Sequence, residues 1–159
     1  MRSLKVLLLE PHAYRLMNLH QMLNGLGIYD VRVAETTLQA HGVLERRGPV
    51  DIVICDPLSP EHDGMGFVEH LALHGLASAL IVLSGARRSV LQGVVELIEL
   101  SGLRVLGSTP APASPSQLHP LLLQHPEAGP VAGICHVHRA CSMNVQRAAA
   151  ELSACAEGQ

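Results

Sequence analysis

Four short apolar runs punctuate the chain: LKVLLLE (4–10), DIVICD (51–56), ALIVLSG (79–85) and LRVLGS (103–108). Continuous Leu, Val and Ile runs of this length suit strands buried on both faces. A fifth segment, IYDVRVAE (28–35), alternates apolar and polar residues and reads as a strand nearer a sheet edge. Between the runs, apolar residues return every three or four positions, the period of one helical face. Leu16, Leu19, Met22, Leu23 and Leu26 predict a helix over Ala13–Leu26, stopped by Gly25 and Gly27. Further helices are expected over Thr37–Arg46, closed by Gly48-Pro49, over Met65–His74, ended by Gly75, and over Ser89–Ser101, ended by Gly102. A fifth is expected over Pro115–Gln124, with Ser114 as N-cap ahead of a proline at the first helical position.

Strand then helix, five times over, predicts an α/β fold. Its core is a five-stranded parallel, doubly wound sheet with helices on both faces, the flavodoxin-like arrangement. In such a sheet, functional groups collect beyond the carboxyl ends of the strands. Those ends carry Glu10, Asp56, Ser84 and the loop after Leu106. This unit is expected to occupy residues 1–125. A Pro/Gly-rich linker follows at 126–137, then an extra C-terminal helix at 138–157. There Cys141, Val145, Ala148, Leu152 and Cys155 recur in the alternating spacing of a helix-packing seam, weak because Ala and Cys bury little area.

Composition narrows the function classes. Of 159 residues 48% are hydrophobic but only 2% aromatic, so the core must be built from Leu, Val, Ile and Ala. A formal net charge of -3 lacks the basic footprint of a nucleic-acid binder. No apolar run is long enough to span a bilayer, and Glu10-Pro11 interrupts the first run where a signal peptide would continue. A cytoplasmic protein without membrane or nucleic-acid partners is expected. Four cysteines, Cys55, Cys135, Cys141 and Cys155, are too few for a disulfide scaffold and read as reduced thiols.

The segment Asp56-Pro57-Leu58-Ser59-Pro60-Glu61-His62-Asp63-Gly64 carries a resemblance. It resembles the phosphoacceptor loop of response-regulator receiver domains, the CheY-like family, and the strand–helix order extends the likeness over about Leu4–Gln124. The resemblance implies a module of bacterial two-component phosphorelay signalling, standing alone, partnered by a sensor kinase or another signalling protein, and not itself an enzyme. In that family the acid after the third strand is phosphorylated and also binds Mg2+. Two acids after the first strand help hold the metal, a Ser or Thr after the fourth bonds a phosphoryl oxygen, and a lysine after the fifth neutralises charge.

Carried over residue by residue, the resemblance makes Asp56 the candidate phosphoacceptor and Ser84 the hydroxyl. Glu10 matches the first acid, and the backbone carbonyl of Leu58 is a candidate metal ligand. Pro11 stands where the second acid belongs. The lysine position falls on Ala111, ahead of Pro112, or in another register on Thr109, ahead of Pro110; neither is lysine, and Lys5 is the sole lysine of the chain. The aromatic switch position falls near Ser108. Loss of a metal ligand and the lysine predicts rate losses on the order of a thousandfold or more. The expectation is a degenerate receiver that binds Mg2+ weakly, has impaired or absent phosphorylation, and acts by protein–protein interaction. The fifth strand's Val-Leu-Gly resembles receivers that precede cyclic di-GMP phosphodiesterase domains.

Plainer readings stand beside these. Asp56 can cap a loop or the helix near Met65, Ser84 can satisfy a strand end, Glu10 can be a solvated loop acid, and Arg87 and Arg88 a solvated helix start. His12 reads as a solvent-facing helix-start residue or a substitute metal ligand. Cys135, His138 and Cys141, within CHVHRAC, could share a metal or lie reduced on an apolar helix. The C-terminal helix can dock on the receiver's partner surface or pair in a homodimer. The alternative function is a phosphorylation-independent metal or thiol sensor, or a small-ligand binder on the same sheet; no Gly-rich phosphate loop follows the first strand.

Overall fold

The computed structural model describes residues 3–126. Its elements are β1 Lys5–Leu9, α1 Ala13–Gly25, β2 Asp30–Ala34, α2 Thr37–Arg47, β3 Val50–Cys55, α3 Gly64–His74, β4 Ala77–Leu83, α4 Arg88–Leu100, β5 Arg104–Thr109 and α5 Pro115–Leu122. All five strands form one sheet in the order β2-β1-β3-β4-β5, and each neighbouring pair is parallel. The expected doubly wound sheet is therefore present, and β2 lies at an edge, as its alternation implied. The linker beyond Pro126, the helix expected at 138–157, and Cys135, His136, His138, Cys141 and Cys155 lie outside the described residues.

Successive strand residues point to opposite faces, and this divides the apolar residues into two cores. Leu7, Leu9, Val53, Cys55, Leu80 and Val82 pack with Ala40, Leu44, Phe67, Val68, Leu71, Val94 and Ile98 from α2, α3 and α4. Val6, Leu8, Ile52, Ile54, Ile81 and Leu83 pack with Leu16, Leu19 and Leu23 of α1 and with Leu118 and Leu122 of α5. The sheet is thus covered on both sides, and polar groups must leave it at the strand ends.

Local chemistry sets the helix ends. Thr36 starts α2, its hydroxyl accepting from the Gln39 N–H at 3.1 Å. Gly48, at φ 80°, stops it; the Gly48 carbonyl then accepts from the buried Arg32 side chain at 2.8 Å. Ser114 stands at the expected cap of α5, where Gln117 Oε1 accepts from its backbone N–H at 3.0 Å. That helix stops at Leu122 rather than Gln124. The N–H groups of Gln124 and His125 reach back three residues instead of four, so the last turn tightens. In β5 the register with β4 slips between Leu80 and Ile81, which pair with Val105 and Gly107, leaving Leu106 as the extra residue of a bulge.

The chain's single phenylalanine, Phe67, is 2% exposed in the core beneath α2 and α3. Phe67→Ala is expected to lower unfolding free energy by about 3–5 kcal/mol, read by urea denaturation.

Candidate functional site

Every residue of β3 is buried, so the chain's next polar side chain emerges only past Cys55. Asp56 is that residue. Its Oδ1 accepts from the Leu58 N–H at 2.9 Å, and its carbonyl accepts from the Ser59 N–H at 3.3 Å. The carboxylate thus shapes the loop that follows. Capping of α3 falls to a different acid: Asp63 Oδ1 accepts from the Gly66 N–H at 2.9 Å, which corrects the plainer reading of Asp56 as a helix cap. The Asp-Gly pair has a steric reason as well. A Cβ on Gly64 would stand 2.7 Å from the Asp56 carbonyl oxygen and 2.7 Å from Pro57 Cα, so the loop closes only over a residue without one.

Glu10 leaves β1 beside Asp56 and is buried, not the solvated loop acid of the plainer reading. The turn through Pro11 brings His12 back onto it. Glu10 Oε1 accepts from the His12 N–H at 3.1 Å and lies 3.0 Å from His12 Nδ1. On its other side His12 Nε2 is 3.4 Å from Glu61 Oε1. The imidazole is half exposed and bridges two carboxylates, one from the β1 end and one from the loop after β3. His12 is thus exposed at the start of α1, as the solvent-facing reading expected, and its ring also joins these two carboxylates. The sequence pointed to Glu10 and His12 singly; nothing in it paired them with Glu61, which lies far along the chain.

A cavity of about 130 Å³ opens among these groups, walled by Glu10, Pro11, His12, Arg15, Asp56, Ser59, Pro60, Glu61 and Ala111, with Leu9 and Leu83 at its base. It brings together Glu10, Pro11, Asp56 and Ala111. Arg15, one helical turn beyond His12, was not singled out by the sequence. Thr109 is buried, and Ala111 rather than Thr109 is on the cavity wall. Leu58 and Ser84 are not on that wall. Ser84 is buried; its N–H donates to the Thr109 carbonyl at 3.1 Å, joining the ends of β4 and β5. Its Oγ accepts from the Ala86 N–H at 3.2 Å. Arg87 and Arg88 are exposed at the start of α4.

The carboxylates on this cavity wall are those of Glu10, Asp56 and Glu61; Pro11 brings no oxygen, and His12 engages one oxygen of Glu10 and one of Glu61. Among the described residues no three His, Cys, Asp or Glu side chains are grouped to hold a metal ion. The donor set does not fit the three-acid magnesium site that the resemblance implied.

Next to Asp56, burial and then the Asp56 charge push the Cys55 thiol from 9.0 up to about 12. The folded protein therefore favours the protonated thiol. That contribution is complete below the ordinary thiol range and is lost as pH rises from about 9 toward about 12. Two outcomes follow. Cys55 is expected to resist iodoacetamide in the folded protein at neutral pH while reacting in urea, read by mass of its peptide. Gly64→Ala is expected to cost about 1–3 kcal/mol of stability, read by thermal or urea unfolding, because the clash is with backbone atoms.

No protein-family model matches the chain. The cyclic di-GMP phosphodiesterase RocR of Pseudomonas aeruginosa is 30% identical over 125 residues, which is 79% of this chain and 32% of that protein. The chain thus spans about a third of that relative's length. Among solved structures, a response regulator from Colwellia psychrerythraea superimposes with a TM-score of 0.61 at 21% identity, over 74% of this chain and 91% of that one. The chemotaxis protein CheY4 of Vibrio cholerae superimposes with a TM-score of 0.66 at 18% identity, over 78% and 99%.

Proposed function

We propose that this chain, which has the fold of a response-regulator receiver domain, is a signalling module whose phosphoryl chemistry is impaired and which acts by presenting a surface to a partner protein. The observation that carries the reading is the wall of the Asp56 cavity. It holds Pro11 and Ala111 and no lysine, while His12 engages the one acid retained from β1. A phosphoryl group on Asp56 would bring close to two negative charges. Nearby cationic side chains are His12, when protonated, and Arg15, and His12 is already shared between Glu10 and Glu61. Stabilisation of the transferring group is correspondingly poor.

The retained elements support a receiver's role as a partner-binding unit. The Asp56 loop is held by its own backbone bonds, and the Ser84 position ties β4 to β5, so the strand ends are organised without a phosphate. The partners suited to this fold are a sensor kinase or another signalling protein. The likeness to a cyclic di-GMP phosphodiesterase supports a place in cyclic di-GMP signalling.

Incubation with acetyl phosphate and magnesium, read by intact mass, tests the chemistry. The parent is expected to gain little or no phosphoryl group. The double variant Pro11→Asp/Ala111→Lys is expected to gain it at least about tenfold faster, and Asp56→Ala placed in that background is expected to abolish the gain. Rapid, stoichiometric labelling of the parent that Asp56→Ala removes would overturn the impaired reading.

A further inference from the structure

A second cavity, of about 280 Å³, opens beside the Asp56 cavity, between α1 and the segment that follows β5. Helix α1 lines it with Arg15, Asn18, Leu19 and Met22. These residues recur three or four positions apart, so they lie along one side of the helix. Ala111, Pro112 and Ala113 come from the segment after β5, and Leu83 from the end of β4. The small side chains at 111 and 113 leave the space between the two elements open. Glu10 and Tyr14 complete the lining. The volume lies just under the usual range of small-molecule sites, about 300–1,000 Å³, and a mostly apolar wall with a few polar groups is their usual make-up.

The polar groups of this lining are not used up by one another. Among the described residues, the side chains of Arg15 and Asn18 make no ion pair and no hydrogen bond. Glu10 is buried, and its Oε1 takes both contacts from His12. No hydrogen bond reaches its Oε2 among the described residues. One cation and one buried anion thus face the same small space without pairing across it.

We propose that this cavity binds a free α-amino acid with an apolar side chain, of the leucine, methionine or phenylalanine class. Its carboxylate would lie against the Arg15 guanidinium, whose planar fork suits a carboxylate, and against the Asn18 amide. Its ammonium would meet Glu10 Oε2. Its side chain would fill the space among Leu19, Met22, Leu83 and Ala113. The charge pattern selects the zwitterion. An organic acid without the ammonium would set a second carboxylate near buried Glu10, and an amine without the carboxylate would leave Arg15 unmatched. Glu10 and Arg15 also line the Asp56 cavity. An occupant would therefore act on the strand ends of the receiver without a phosphoryl group, and the site stands whether or not Asp56 is phosphorylated.

Calorimetric titration of the full chain with L-leucine, L-methionine and L-phenylalanine at millimolar concentration tests the site. At least one is expected to bind with one-to-one stoichiometry. Its deaminated and its amidated analogue should each bind at least about tenfold more weakly, because each loses a charge-assisted contact. Glycine should be weaker by a similar factor, because it buries no side chain. Arg15→Gln and Asn18→Asp should each weaken binding at least about tenfold with the circular dichroism spectrum unchanged. Both residues are exposed, and Asn18 lines this cavity and not that of Asp56. Absence of saturable binding by all three amino acids would overturn the proposal. So would an analogue or glycine that binds as tightly as the amino acid, or an affinity left unchanged by either substitution.

Discussion

The rest of the molecule depends on the burial of β3. This strand sits in the middle of an all-parallel sheet, and all six of its residues are buried. The one acid within it, Asp51, is accommodated because Oδ2 accepts from the Lys5 N–H at 2.8 Å; a buried acid without such a bond would be costly. At its far end the strand leaves the two covering layers, and Asp56 is the first residue able to meet water. The position of the carboxylate is therefore a consequence of the layered architecture before it is a matter of chemistry. The same constraint puts Glu10 beside it, since β1 and β3 are neighbours in register, Leu9 opposite Cys55.

What the strand ends do with these acids is decided by short-range hydrogen bonding. Asp56 bonds the loop it begins, and Asp63 bonds the helix that loop leads into. Glu10 bonds back to His12, and His12 reaches on to Glu61. Each acid near the cavity is committed to holding local backbone or a neighbouring imidazole. The His12 ring lies between two of these carboxylates, 3.0 Å from Glu10 Oε1 and 3.4 Å from Glu61 Oε1. The arrangement keeps three carboxylates, those of Glu10, Asp56 and Glu61, on one cavity wall.

The fold was legible because its signals are short-range and repeated. Continuous apolar runs named the buried strands, the alternation in IYDVRVAE placed β2 at an edge, and Gly48, Gly75 and Ser114 marked helix ends within two residues. The site was legible only where a motif stood contiguous, as in Asp56 to Gly64. Glu61 lies inside that motif, yet its partner His12 is nearly fifty positions away, and no local pattern joins them. The histidines of α2 and α3 show the same limit. His41 and His70 are 29 positions apart in the sequence, and their rings meet because α2 and α3 pack on the same face of the sheet.

The structure also separates two tasks that sequence matching tends to merge. An aspartate retained in a phosphoacceptor loop looks like evidence for phosphorylation. Here the Asp56 carboxylate already accepts the Leu58 N–H and so directs the chain into the turn that Gly64 closes against Pro57. Replacing it would leave that backbone donor without its partner, at a cost of about 1–3 kcal/mol if the group stays buried. Retention of Asp56 and Gly64 therefore follows from loop architecture alone, whereas Pro11 and Ala111, which hold nothing in the loop, are the positions where the demands of phosphoryl transfer would show.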